Sequence, residues 1–208
     1  MSNKTIRFIR GLLILAGVSS PAFAYNGNHA TYSQLRPYTG GEAYVSQSVH
    51  AVKDTAKFNL GTKGSVSKGL EGYSLRTAFG IEHLKSIQTG VFYSNIQESG
   101  NKVMLSEYRA HEFGAEAKLT FASPVVNISL GGGGFYSNGI YRSGAETVTM
   151  KGNGFFGGVD LVYYVSSKMN FLISGMQVMS TSKASSKASV SGLSGTGLRV
   201  GGGVNIWL

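Results

Sequence analysis

The sequence predicts an all-β chain, an eight-stranded antiparallel up-and-down transmembrane β-barrel with short periplasmic turns and long extracellular loops. Three observations predict it. Apolar and polar residues alternate with a period of two along much of the chain, the pattern of half-buried strands. The connections between those segments alternate long and short, as they do when one rim of a barrel is elaborated. The composition is rich in Gly (30 of 208), Tyr (11) and Phe (11), and only 14% of residues are charged against 42% hydrophobic. That balance is too apolar for a disordered chain and too poor in charge for an ordinary helical domain. With no cysteine, disulfide frameworks, thiolate metal sites and cysteine nucleophiles are excluded.

Residues 1–24 read as a cleaved secretory signal. Lys4, Arg7 and Arg10 form a basic start, Gly11 to Val18 a short apolar core, and Ala22-Phe23-Ala24 a small-x-small cleavage pattern. About eight apolar residues are too few for a spanning helix, which needs about 20. Three basic residues leave with the signal, so the net charge falls from +9 to +6. A polar lead-in, residues 25–36, precedes the barrel, residues 37–208. Past the signal no stretch holds 18 consecutive apolar residues, so a membrane crossing must be made by strands.

The first strand, within Gly41 to Val52, alternates weakly and gives way to the long polar stretch Lys53 to Glu71. In the second, Leu75, Phe79 and Ile81 oppose Ser74, Arg76, Gly80 and Glu82, with Thr77 interrupting the apolar face, and a tight link follows near Leu84, Lys85 and Ser86. The third, Ile87 to Ile96, is weak and runs into Gln97 to Glu107. The fourth sets Phe113, Ala115, Ala117, Leu119 and Phe121 against Glu112, Glu116, Lys118 and Thr120, then turns at Ala122-Ser123-Pro124. In the fifth, Val126, Ile128 and Leu130 oppose Asn127 and Ser129 before the stretch Ser137 to Lys151. The sixth sets Phe155, Val159, Leu161 and Tyr163 against Phe156, Asp160 and Val162, and turns within Ser166 to Lys168. A weak seventh, Asn170 to Met179, leads into the Ser/Lys/Ala-rich Ser180 to Ser194. The last sets Leu198, Val200, Val204, Ile206 and Leu208 against Arg199, Asn205 and Trp207. Eight strands of about 9–11 residues are enough to cross a bilayer, and closure gives every backbone polar group a partner in lipid. The runs Gly131 to Gly134 and Gly201 to Gly203 suit a tightly curved wall.

On its signal, its alternating connections and its amphipathic closing strand Leu198 to Leu208, the chain resembles the small eight-stranded outer-membrane barrels of Gram-negative bacteria. That group includes the opacity-type surface proteins and the membrane domain of outer membrane protein A. The resemblance covers about Pro37 to Leu208. It implies an outer-membrane location, insertion by the barrel-assembly machinery, and a monomer surrounded by outer-membrane lipid and lipopolysaccharide. Members usually end in an aromatic residue, most often Phe; this chain ends in Leu208 after Trp207.

Opposite the apolar stripe lie Arg76, Glu82, Glu112, Glu116, Lys118, Asp160 and Arg199. In a narrow lumen such charges must pair, so an ion-pair network is expected there. An aromatic girdle is expected from Tyr73, Tyr93, Tyr108, Tyr136 and Phe155 near the long connections, and from Phe121, Tyr163, Phe171 and Trp207 near the short ones. Lys57, Lys63, Lys183 and Lys187 lead a basic loop rim, opposed by Asp54, Glu71, Glu98, Glu107 and Glu146, that would attract anionic surface ligands. His29, His50, His83 and His111 lack ligand spacing, so no metal or other cofactor is expected. No local Ser–His grouping marks an esterase, and no aromatic platform with interleaved basic residues marks nucleic acid as a cognate partner. The reading is a non-enzymatic barrel acting in surface interaction, adhesion or envelope stabilisation through its loops. A narrow small-solute pore is the alternative, and a soluble lipocalin-like binding barrel the third.

Overall fold

A computed structural model of the chain describes residues 41–60, 64–84, 86–100, 106–121, 126–144, 146–185 and 189–208. The signal, the polar lead-in, His29, Lys63, Lys187 and the turn Ala122-Ser123-Pro124 lie outside the described residues. Eight strands follow in order: β1 (Glu42–Asn59), β2 (Ser65–Leu84), β3 (Ile87–Gly100), β4 (Ser106–Phe121), β5 (Asn127–Ser143), β6 (Glu146–Ser166), β7 (Met169–Ala184) and β8 (Gly192–Trp207). Each pairs antiparallel with the next, and β8 returns to β1 to close the barrel.

The register sets the tilt. A row of paired residues starting at Lys57 passes through Ser194, Thr181, Asn153, Tyr136, Phe113, Tyr93 and Thr77, and meets β1 again at Gln47. The row therefore returns to β1 at position 47, ten residues below its start at 57. A shear of ten on eight strands tilts them by about 43°, within the range of membrane barrels.

Within the membrane-height part of the wall, alternation points apolar residues outward. Leu75, Phe79, Leu119, Phe121, Ile128, Leu130, Leu161, Ile173, Val200 and Ile206 are all exposed, while Arg76 on β2, Glu112 and Glu116 on β4 and Arg199 on β8 are buried inside. Tyr136 and Phe155 bound this belt at one level, and Tyr163 lies eight residues down β6 from Phe155. At about 3.4 Å per residue and this tilt, eight residues span about 20 Å, close to the apolar band of about 25 Å in outer-membrane barrels.

The strands run 14 to 21 residues, well beyond what a crossing needs. The stretches expected as long loops are largely strand: β1 continues to Asn59, β3 to Gly100, β5 to Ser143 and β7 to Ala184. Only residues 60–64, 101–105, 144–145 and 185–191 remain between strands at that end. The two rims thus differ chiefly in how far the strands outrun the belt. The physical reason is an inversion of the pattern. Beyond the belt the inward positions become apolar (Ala56, Phe58, Leu70, Val148, Met150, Leu193) and the outward ones, Ile140 excepted, become mostly polar or charged. This projecting crown is a soluble β-barrel set on a membrane one, with its own apolar core of the kind water requires.

Two glycines show why the wall needs them. A side chain at Gly201 would run into the Val49 carbonyl oxygen of β1, and one at Gly80 into the Tyr44 ring that fills the barrel floor. The close approach of neighbouring backbone and ring leaves room only for hydrogen.

Candidate functional site

Alternation turns one parity of each strand inward, and it gathers charged residues from distant parts of the sequence. Arg76 on β2 meets Glu116 on β4 at 2.7 Å. Lys118, one inward step further along β4, lies 2.9 Å from Asp160 on β6 and 3.7 Å from Glu116. These four groups form one balanced set of two cations and two anions. The Arg76 guanidinium is also held 3.6 Å from the Phe92 ring centroid and 4.6 Å from that of Phe156, so its faces are covered by π systems.

A second set lies nearer the crown. Arg199 on β8 grips Glu112 on β4 through two parallel hydrogen bonds, 2.8 and 2.9 Å, across the lumen. Such a bidentate pair is among the stronger contacts a protein makes. Glu82 lies apart from both, near the short-turn end, accepting from Gln88 at 3.3 Å and from the Trp207 indole at 3.2 Å.

The structure adds inward residues that the sequence reading missed. Asp54 and Glu98, expected at the outer rim, both turn inward, where their carboxyl groups meet beside Arg199 and Glu112. His50 is fully buried in the lumen at 1% exposure. Parity could have found them, because Asp54 follows Ser46, Ser48 and His50 on the inward face of β1, and Glu98 follows Ser94 on that of β3.

The girdle needs two corrections. Tyr73, Tyr93, Tyr136, Phe155, Phe121, Tyr163 and Phe171 are exposed on the outer wall. Tyr108 and Trp207 are not: both are buried inside, at 7% and 3% exposure. Tyr108 shares the parity of Glu112 and its hydroxyl pairs with Ser137, while Trp207 shares the parity of Arg199 and packs between Tyr44 and Tyr164. Their places along the chain suited a girdle, but the pleat turned them inward.

Above both ionic sets, Phe58, Leu70, Tyr108, Tyr141, Val148 and Met150 close the lumen with an apolar cluster. On the outer wall Lys57 and Lys183 are exposed on β1 and β7, where they belong to strand and not to loop. Glu107 is clasped by Arg109 at 2.6 Å with Arg142 at 4.0 Å, and these guanidinium groups help hold its carboxyl below the usual range. Among the described residues no cluster of three or more His, Cys, Asp or Glu side chains could hold a metal ion.

No protein-family model matches the chain, and no curated protein matches its sequence. Solved structures do. Neisserial surface protein A is 17% identical, with a TM-score of 0.52 over 79% of this chain and 96% of that one. The outer membrane protein AlkL, solved by solid-state NMR in lipid bilayers, is 10% identical, with a TM-score of 0.55 over 82% and 92%. The outer membrane protein OprG of Pseudomonas aeruginosa is 9% identical, with a TM-score of 0.51 over 80% and 97%. At these identities the likeness is one of fold. The fold is that of small outer-membrane barrels, and the continuous apolar belt is what such a barrel presents to hydrocarbon.

Proposed function

We propose that the protein is a closed, non-enzymatic outer-membrane barrel that acts through its outer surface and crown in surface interaction or envelope stabilisation. The observation that carries this reading is the filling of the lumen by two ionic sets and, above them, an apolar cluster. An eight-stranded interior is just wide enough for side chains to fill, and here Arg76, Glu116, Lys118, Asp160, Arg199 and Glu112 are paired with one another. A conduction path would have to break charge pairs at one level and part an apolar core at another. The wall outside the belt is left as the surface available to partners. The barrel is expected to give no channel events in planar bilayers over a wide voltage range, while a detergent-folded sample gives the circular dichroism of a β-barrel. Steady conductance from that sample would favour the small-solute pore instead.

A further inference from the structure

The outer wall of the crown is electrostatically lopsided. On the half built from β2 to β5, the outward charged residues Glu71, Glu107, Arg109 and Arg142 balance, and Glu107 is paired with both arginines. The outward positions of β6, β7, β8 and β1 carry Lys53, Lys57, Lys151 and Lys183 and no acidic residue. Lys53 approaches Glu71 at 3.9 Å; Lys57, Lys151 and Lys183 have no carboxylate partner among the described residues. Two of these cations are forced together, because Lys151 and Lys183 are directly opposed across the β6–β7 ladder. Like charges in that position are destabilising unless an anion is placed between them.

Directly below the paired lysines the same four strands form a groove of about 560 Å³. Lys57, Asn153, Thr181 and Ser194 line one row of it, and Phe155 and Met179 face it from the row beneath. Its upper edge is cationic, its floor carries hydroxyl and amide groups, and its lower edge continues into the apolar belt. Lys151 and Lys183 are each four residues above Phe155 and Met179 on their own strands, about 10 Å once tilt is included. The headgroup layer beyond the hydrocarbon is about 5–7 Å thick, and a lysine stem can bend down to bring its ammonium into it.

We propose that this wall is a binding site for the phosphorylated, hydroxyl-rich headgroup of a membrane glycolipid. Its phosphate lies between Lys151, Lys183 and Lys57, its sugar hydroxyls lie against Thr181, Ser194 and Asn153, and its acyl chains pass down over Phe155 and Met179. The proposal rests on the membrane-embedded reading above and gives it a side: the barrel is to be held in the outer leaflet by one face.

The experiment uses the full-length mature protein in phosphatidylcholine nanodiscs, titrated with diphosphorylated lipid A and with its dephosphorylated form. Flotation with phosphatidylcholine vesicles comes first; a protein that stays in the aqueous fraction overturns the membrane reading and this site together. For a protein that floats, Lys57→Gln/Lys151→Gln/Lys183→Gln is expected to bind diphosphorylated lipid A at least tenfold more weakly than wild type. Arg109→Gln/Arg142→Gln, which removes charge from the other half, is expected to bind as wild type does. The dephosphorylated lipid should bind the wild type as weakly as the diphosphorylated lipid binds the triple variant, and millimolar inorganic phosphate should not compete. Equal binding by wild type and triple variant, or an equal loss in the control variant, overturns the site while leaving the membrane reading intact. Lysine-dependent binding of heparin with lysine-independent binding of lipid A would overturn it in favour of a soluble polyanion. Circular dichroism melts of all variants show whether they are folded; these side chains are exposed, and the triple variant, relieved of the Lys151–Lys183 repulsion, should melt no lower than wild type.

Discussion

Arg199 is the residue on which the lumen most depends. Its guanidinium neutralises Glu112 directly and lies beside Asp54 and Glu98, so three carboxyl groups converge on one cation. Removing one partner of a buried pair costs about 3–5 kcal/mol, because the other charge stays desolvated. Urea unfolding of Arg199→Ala in lipid vesicles should show a loss of that size, and Arg199→Met/Glu112→Leu should recover part of it. A wild-type midpoint for Arg199→Ala would remove the pair from any account of stability. At the crown, Glu146 on β6 accepts from the Ser189 hydroxyl and, at 2.9 Å, from its backbone N–H, and these two bonds hold its carboxyl below the usual carboxylate range. A depressed folded pKa means that the contribution is complete above the unfolded value of about 4.3 and is lost as pH falls through the folded one. Protection of the Ser189 amide from hydrogen exchange, corrected for intrinsic rate, should therefore persist to about pH 4 and vanish in stronger acid. Loss of protection already near pH 5 would contradict the clasp.

Each strand is a single element with two solvents. On β6, Phe155, Val159, Leu161 and Tyr163 face outward along the belt, while Val148 and Met150 face inward in the crown. Parity never changes along the strand; what changes is which parity is apolar. A substitution should therefore be read by height as well as by side. Leu161→Arg, outward near mid-belt, should cost about 2–4 kcal/mol in a bilayer. Phe58→Ala, inward in the crown, should cost about 3–5 kcal/mol through the cavity it leaves. Because the first penalty belongs to hydrocarbon and the second to packing, thicker bilayers should raise the cost of Leu161→Arg and leave that of Phe58→Ala unchanged. Chemical unfolding across vesicles of graded chain length checks this, and parallel trends would refute the division of each strand into belt and crown.

For the whole molecule, two closures in series decide permeability. The ionic sets fill the belt region, and the cluster around Phe58, Leu70, Tyr141 and Met150 seals the crown above it. Arg199→Ala should accordingly destabilise without conducting, since the apolar seal does not depend on that charge. Arg199→Ala combined with Phe58→Ala and Tyr141→Ala should be the first variant to show ion current in planar bilayers. Current through Arg199→Ala alone would mean that the crown is no barrier. The apolar belt also makes the molecule dependent on detergent or lipid, and sedimentation of a detergent-free sample as a dispersed monomer would end the membrane reading.

The sequence alone determined the class, the number of strands and the closed antiparallel order, because a period-two pattern and the tight links are local signals that survive without tertiary information. It also puts Arg76, Glu82, Glu112, Glu116, Lys118, Asp160 and Arg199 opposite the apolar stripe, and those side chains are buried or half-buried. The partners were beyond it. Arg199 to Glu112 and Lys118 to Asp160 are set by the shear of ten, and shear belongs to the closed ring, not to any strand. The crown was hidden for a related reason. Lys53 to Glu71 looks like loop because its apolar residues change parity, and only a barrel tall enough to leave the bilayer makes Phe58 and Leu70 inward and Lys57 outward. The sequence records the alternation; which side of it meets water is decided by height above the membrane, and height exists only once the barrel has closed.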